Sequence, residues 1–155
     1  MSTDEKVVLQ ELLGKCAEAM GLECEVVIGE AEDELRGTLV GEELGLFIGR
    51  HGQTIDAVQH LAMRIIANHA ERPATPRRIV IDAEGYRARR QEALEKQADR
   101  AADEALRYGR PVALDAMTAS ERRHVHEHLR DRGDVETQSE GDEPDRHLVV
   151  SPRPA

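Results

Sequence analysis

Long apolar runs are missing from this sequence. No stretch approaches about 18 consecutive apolar residues, and the opening MSTDEKVVLQ has neither a basic start nor a long apolar segment. That excludes a helical membrane span and a signal peptide as sequence features, and it implies a soluble, cytoplasmic chain with no membrane insertion. Cysteine is nearly absent as well. Cys16 and Cys24 are too few for a disulfide framework or a four-ligand zinc site, and they fit small buried thiols in a reducing compartment. Aromatics stop at Phe47, Tyr86 and Tyr108, of which at least one is needed in a core. Binding modules built on aromatic platforms are thereby disfavoured. Lysine occurs only at positions 6, 15 and 96, which leaves arginine as nearly the sole cation.

The formal net charge is -10 at pH 7. Such a surface repels phosphate over about a Debye length, roughly 8 Å at physiological salt. The acid is unevenly spread, however. Residues 1–34 hold two basic side chains against ten acidic ones, and residues 111–155 hold six against ten. Between them, residues 35–83 hold six against five and residues 84–110 seven against six. The middle of the chain is thus free to meet an anion, and arginine brings a forked guanidinium suited to phosphate.

Apolar periodicity organises the chain into two parts. Val7, Val8, Leu12, Leu13, Cys16 and Met20 predict an amphipathic helix over residues 3–20, with Gly21 just past its end. Residues 23–28 and 34–40 read as strands of a hairpin. A short helical turn from Glu42 to Ile48 runs into Gly49-Arg50-His51-Gly52, and Ile55, Val58, Leu61, Ala62, Ile65 and Ile66 mark a second helix that stops before Pro73 and Pro76. Residues 77–82 give a third strand. The order makes a three-stranded sheet covered on one face by helices. From Glu84 to Tyr108 the pattern becomes a long charged helix with a thin stripe of Tyr86, Leu94, Ala98, Ala101, Ala105 and Leu106. Thr118-Ala119-Ser120-Glu121 predicts a capping box for another helix reaching Arg130, with Val125 and Leu129 inward, and residues 135–139 and 147–151 predict two strands around a turn.

Two constellations carry chemistry. In Gly49-Arg50-His51-Gly52, terminal glycines permit positive φ and a close backbone approach, and the loop opens into a helix whose free amides and dipole suit a phosphate. Arg50 adds a charge-assisted contact, His51 a hydrogen bond, and Ile48 and Ile55 are expected to floor a groove for unstacked bases. Arg122 and His126 lie four apart on a helix and share a face, so a cation and an imidazole are expected to grip phosphate together.

Residues 1–83 resemble a type II KH domain, in which Ile48 to Gly52 matches the GXXG signature that clamps the backbone of about four nucleotides. Met117 to His126, followed by Val135 to Arg146, resembles the Arg-x-x-x-His (R-3-H) domain of the Jag (KhpB) family, including its Thr-x-Ser-Glu-Gly-x-Glu-Pro-x-Arg run. The resemblance implies that Arg122 and His126 face single-stranded nucleic acid, with Arg123 and Arg146 as supporting cations. It also implies an α/β (α+β) fold made of a KH domain at 1–83 and an R-3-H domain at 84–155, the latter including a connecting helix at 84–108. Many members carry a further N-terminal domain and linker; this sequence begins at the first KH helix, so the expected form lacks that domain. The expected activity is non-enzymatic binding of single-stranded RNA, or of single-stranded DNA, in the manner of an RNA chaperone or post-transcriptional regulator, without cofactor or metal. A small KH-only protein is the partner the family implies. The alternative is an assembly factor whose KH surface binds protein.

Other readings fare worse. Of His124, His126 and His128 only the outer two share a helical face, too few ligands for a metal. Ser120 and Ser139 sit in no Gly-x-Ser-x-Gly elbow, and no Walker loop is present.

Overall fold

Two sets of apolar side chains, separated in sequence, build two cores in the computed structural model, which describes residues 4–69 and 77–154. The corresponding units are Met1–Arg87 and Ala88–Ala155.

In the first unit, Asp4 caps helix α1 (Glu5–Ala19) by accepting from the Lys6 amide at 3.0 Å. The buried face of α1 is Leu9, Leu13 and Ala17, flanked by Val8, Leu12, Cys16 and Met20. Val8, Leu12, Leu13, Cys16 and Met20 thus lie on the expected face, whereas Val7 is exposed, because a 3.6-residue period through Leu9 and Leu13 turns position 7 outward. Strands β1 (Cys24–Glu30) and β2 (Glu34–Gly41) pair antiparallel, and β3 (Arg78–Ala83) joins β2 in parallel, giving the order β1-β2-β3. A parallel pair requires a long crossover. Helix α2 (Gly45–Ile48), a 3-10 turn at Arg50–Gly52 and helix α3 (Gln53–His69) lie within it. Phe47, Ile55, Ala62 and Ile66 from this crossover pack with Leu9, Leu13, Leu35, Leu39 and Ile81. Leu61, expected inward, is exposed. The expected stop at Pro73 and Pro76 lies outside the described residues.

Helix α4 (Tyr86–Tyr108) begins with two residues of the first unit, and Tyr86 packs on that unit's core rather than continuing the alanine stripe. In the second unit the stripe is Leu94, Ala98, Ala101 and Ala102, while Leu106 is turned out. Helix α5 (Ala119–Arg130) opens with the capping box of Thr118 and Glu121, both reciprocal bonds formed, at 3.2 and 3.0 Å. Strands β5 (Val135–Glu140) and β6 (His147–Pro152) form the antiparallel hairpin the sequence predicts. The sequence reading missed β4 (Val112–Ala113), a two-residue strand that pairs with β6 and completes the order β4-β6-β5. Two residues are too few to show a period.

Helices α4 and α5 are joined by a ladder in which both sequences rise together: Arg90 with Glu121, Glu95 with His124, Asp99 with His128 and Asp103 with Arg132. The pairs climb about one turn at a time, so the two helices run parallel. Among the described residues no helix is long and apolar enough to cross a membrane.

Candidate nucleic-acid interface

The glycine loop is a rigid corner rather than an open cradle. Gly49 has φ 73° and Gly52 φ 76°, values that L side chains rarely adopt. Neither glycine is vacant for a ligand on its Cβ side. A methyl on Gly49 would meet the Thr54 side chain and lie 2.9 Å from the Thr54 amide nitrogen, and one on Gly52 would lie 2.6 Å from the Tyr86 hydroxyl. The edge amides are spoken for as well: Gly49 N donates to Gly45 O at 2.8 Å, Gly52 N to Gly49 O at 3.3 Å, and Gln53 N to Arg50 O. The expectation of bare amides at Gly49 and Gly52 is therefore corrected. The glycines let the chain turn tightly against Thr54 and Tyr86, and this pins the tip. On that tip Arg50 and His51 are both exposed, His51 with a left-handed φ of 54°. Among the described residues Arg50 has no ion-pair partner, so its guanidinium is available to an anion. Ile55, expected to floor a groove, is 0% exposed and belongs to the core; Ile48 is partly buried against the same core and remains at the surface.

The second constellation gathers around a surface concavity of about 580 Å³ between α5 and the β5–β6 hairpin. Arg122, Arg123, His126 and Arg146 all line it, together with Thr137, Gln138 and Ser139 from β5 and the small Ala119. Four residues singled out from the sequence are thus brought to one place. Their roles divide sharply. Arg122 is 8% exposed: Nη1 donates to Met117 O at 2.6 Å and reaches Arg146 O at 3.5 Å, while Nη2 pairs with Glu143 at 2.7 Å. Its guanidinium is engaged by the chain itself through Nη1 and Nη2, so it serves the fold as well as lining the concavity. It ties the start of α5 to the turn after β5. Arg123 is exposed and, among the described residues, pairs only with Glu127, four residues on, at 3.1 Å; such a surface pair is worth little and yields readily to a stronger anion. Arg146 gives one donor to Gly141 O at 2.7 Å. His126 is exposed, and its Nδ1 shares a hydrogen bond with the Thr137 hydroxyl, which fixes the ring and leaves Nε2 as its other polar atom. Thr137, Gln138 and Ser139 were not chosen from the sequence. The signal was the unbroken polar run of β5 after Val135, which became visible as a wall only when the hairpin folded over α5.

The two remaining histidines of α5 do something else. His124 Nε2 donates to Glu95 at 2.9 Å and His128 Nε2 to Asp99 at 3.0 Å, both toward α4. The hydrogen bond from His124, then that from Gln91, holds the Glu95 carboxyl below its usual range. Among the described residues no group of three or more His, Cys, Asp or Glu is placed to hold a metal.

Comparisons with known proteins agree on both halves. Residues 6–75 match the family described as KhpA/KhpB, KH domain, and residues 92–152 match the R-3-H domain family. The chain is 35% identical over 143 residues to the RNA-binding protein KhpB of Clostridium symbiosum, covering 91% of this chain and 63% of that protein. It is 32% identical over 137 residues to KhpB of Bacillus subtilis, covering 87% and 64%, and 39% identical over 109 residues to KhpB of Lactiplantibacillus plantarum, covering 70% and 33%. The chain thus spans less than two thirds of the length of these relatives.

Proposed function

The chain belongs to the Jag/KhpB family, with a KH domain followed by an R-3-H domain, and from that premise we propose that it binds single-stranded RNA by its phosphate backbone, as an RNA chaperone or post-transcriptional regulator. The observation that supports this most is the concavity in which Arg123, His126 and Arg146 meet polar β5 side chains within a segment whose overall charge is negative. Local concentration of guanidinium there overcomes the repulsion that the net charge of -10 would otherwise exert. The KH tip adds Arg50 and His51, held outward by the tight turn at Gly49 and Gly52. Low sequence preference follows from this design, because phosphate contacts position a strand without reading its bases.

Fluorescence anisotropy with a labelled oligouridylate tests the reading. Replacing Arg50 and His51 by Asp, or Arg123 and His126 by Ala, weakens binding about tenfold or more with unchanged circular dichroism. Wild-type affinity in both variants would sink it. Exposed Val27 and Val40, on one face of the β1–β2 ribbon, favour a second reading in which the KH surface docks a protein. A chain that retains a protein partner but no oligonucleotide would decide for that second reading.

A further inference from the structure

We infer that Tyr108, with Arg107 and Arg110, forms a nucleobase-stacking platform at the C-terminal end of α4, a further contact for the single-stranded RNA proposed above, on which reading it rests. Of the three aromatics, Phe47 is fully buried and Tyr86 packs on the first core, whereas Tyr108 is 59% exposed. The guanidinium carbons of Arg107 and Arg110 lie 5.5 and 5.7 Å from its ring centroid, within the reach of a cation–π contact. Among the described residues Arg107 has no carboxylate partner. Among the same residues Arg110 has Glu104 as its one ion-pair partner, at 3.6 Å, between two exposed side chains, a bond that competes weakly.

Three flat π groups are thus gathered at one exposed helix end. Bases stack on aromatic rings and on guanidinium planes alike, without regard to sequence. The last carbonyls of α4 carry only about half a unit of negative charge, so the two arginines also suit a phosphate, and the abasic oligomer used below separates a stacked base from a backbone contact. The site is also separate from the concavity. Since α4 and α5 run parallel with Asp99 level with His128, His126, the last α5 residue of the concavity, is level with about position 97, and the stretch from there to Tyr108 carries the site roughly 17 Å further along the axis. About five stacked nucleotides span that length.

The test uses the full chain and two labelled 12-mers, an oligouridylate and an abasic oligomer of the same charge. Tyr108→Ala weakens oligouridylate binding about fivefold or more, while Tyr108→Phe stays within about twofold. On the abasic oligomer Tyr108→Ala binds like the wild type. The chain has no tryptophan, so tyrosine emission is directly visible; saturating oligouridylate quenches it in the wild type and less in Tyr108→Ala. Equal oligouridylate affinity in wild type and Tyr108→Ala overturns the platform while leaving RNA binding intact, and so does an equal loss on both oligomers, which would make the contact one to the backbone. A wild type that binds neither oligomer overturns the RNA reading itself, and the platform with it.

Discussion

Arg122 and Arg123 are neighbours with opposite fates. One guanidinium is enclosed by Met117 O, Arg146 O and Glu143; the other stands in solvent beside Glu127. Removing the first leaves the Met117 carbonyl without its donor and Glu143 without its cation. Arg122→Ala is therefore expected to cost about 1–3 kcal/mol, whereas Arg123→Ala stays within roughly 0.5 kcal/mol and changes only ligand binding. Urea unfolding of the two variants separates them, and equal midpoints would refute the strut. Sequence spacing identified the pair of positions 122 and 126 correctly as one face. It could not tell which of two adjacent arginines would be consumed by the fold, because Glu143 and Arg146 are more than 20 residues away along the chain.

At the scale of elements, the ladder between α4 and α5 makes part of the second unit's stability dependent on ionised carboxylates. The Glu95 carboxyl is held low by hydrogen bonds from His124 and Gln91. A depressed carboxyl contributes stability that is present above its unfolded value and is lost as pH falls through its folded value. The melting temperature of Glu95→Gln is accordingly expected to fall below that of the wild type at pH 5–7 and to converge with it as the pH falls below the ordinary glutamate range. A gap that persists unchanged to pH 3 would show that the bond contributes by shape alone. The capping box at Thr118 and the hairpin of β5 and β6 were legible in sequence because each rests on neighbours in the chain. Strand β4 and the outward turns of Val7, Leu61 and Leu106 were not, since each depends on which partner surface the element meets.

At the scale of the molecule, a net charge of -10 sets the background against which any anion binds. If Arg50, Arg123 and Arg146 each neutralise one phosphate, log K against log salt should have a slope of about -2 for a single strand, reduced by about 0.7 in Arg123→Ala. Anisotropy titrations across salt concentrations measure it. A slope near zero would mean that the arginines do not meet phosphate. The charge of the two ends cannot steer the strand toward the protein, so association is expected to gain little from long-range attraction.

The sequence by itself determined the architecture: apolar periods, glycine turns and the capping box placed helices and strands in an order that leaves only a small layered unit in each half, and two local motifs marked where to look. Only the tertiary structure decided which of the marked groups remain available. Gly49 and Gly52 serve the chain's own packing, Ile55 and Arg122 are taken into the interior, and Arg50, Arg123, His126 and Tyr108 stay at the surface. The reason is that a local pattern records which side chains share a face, while burial and hydrogen-bond occupancy depend on residues that arrive from elsewhere in the chain.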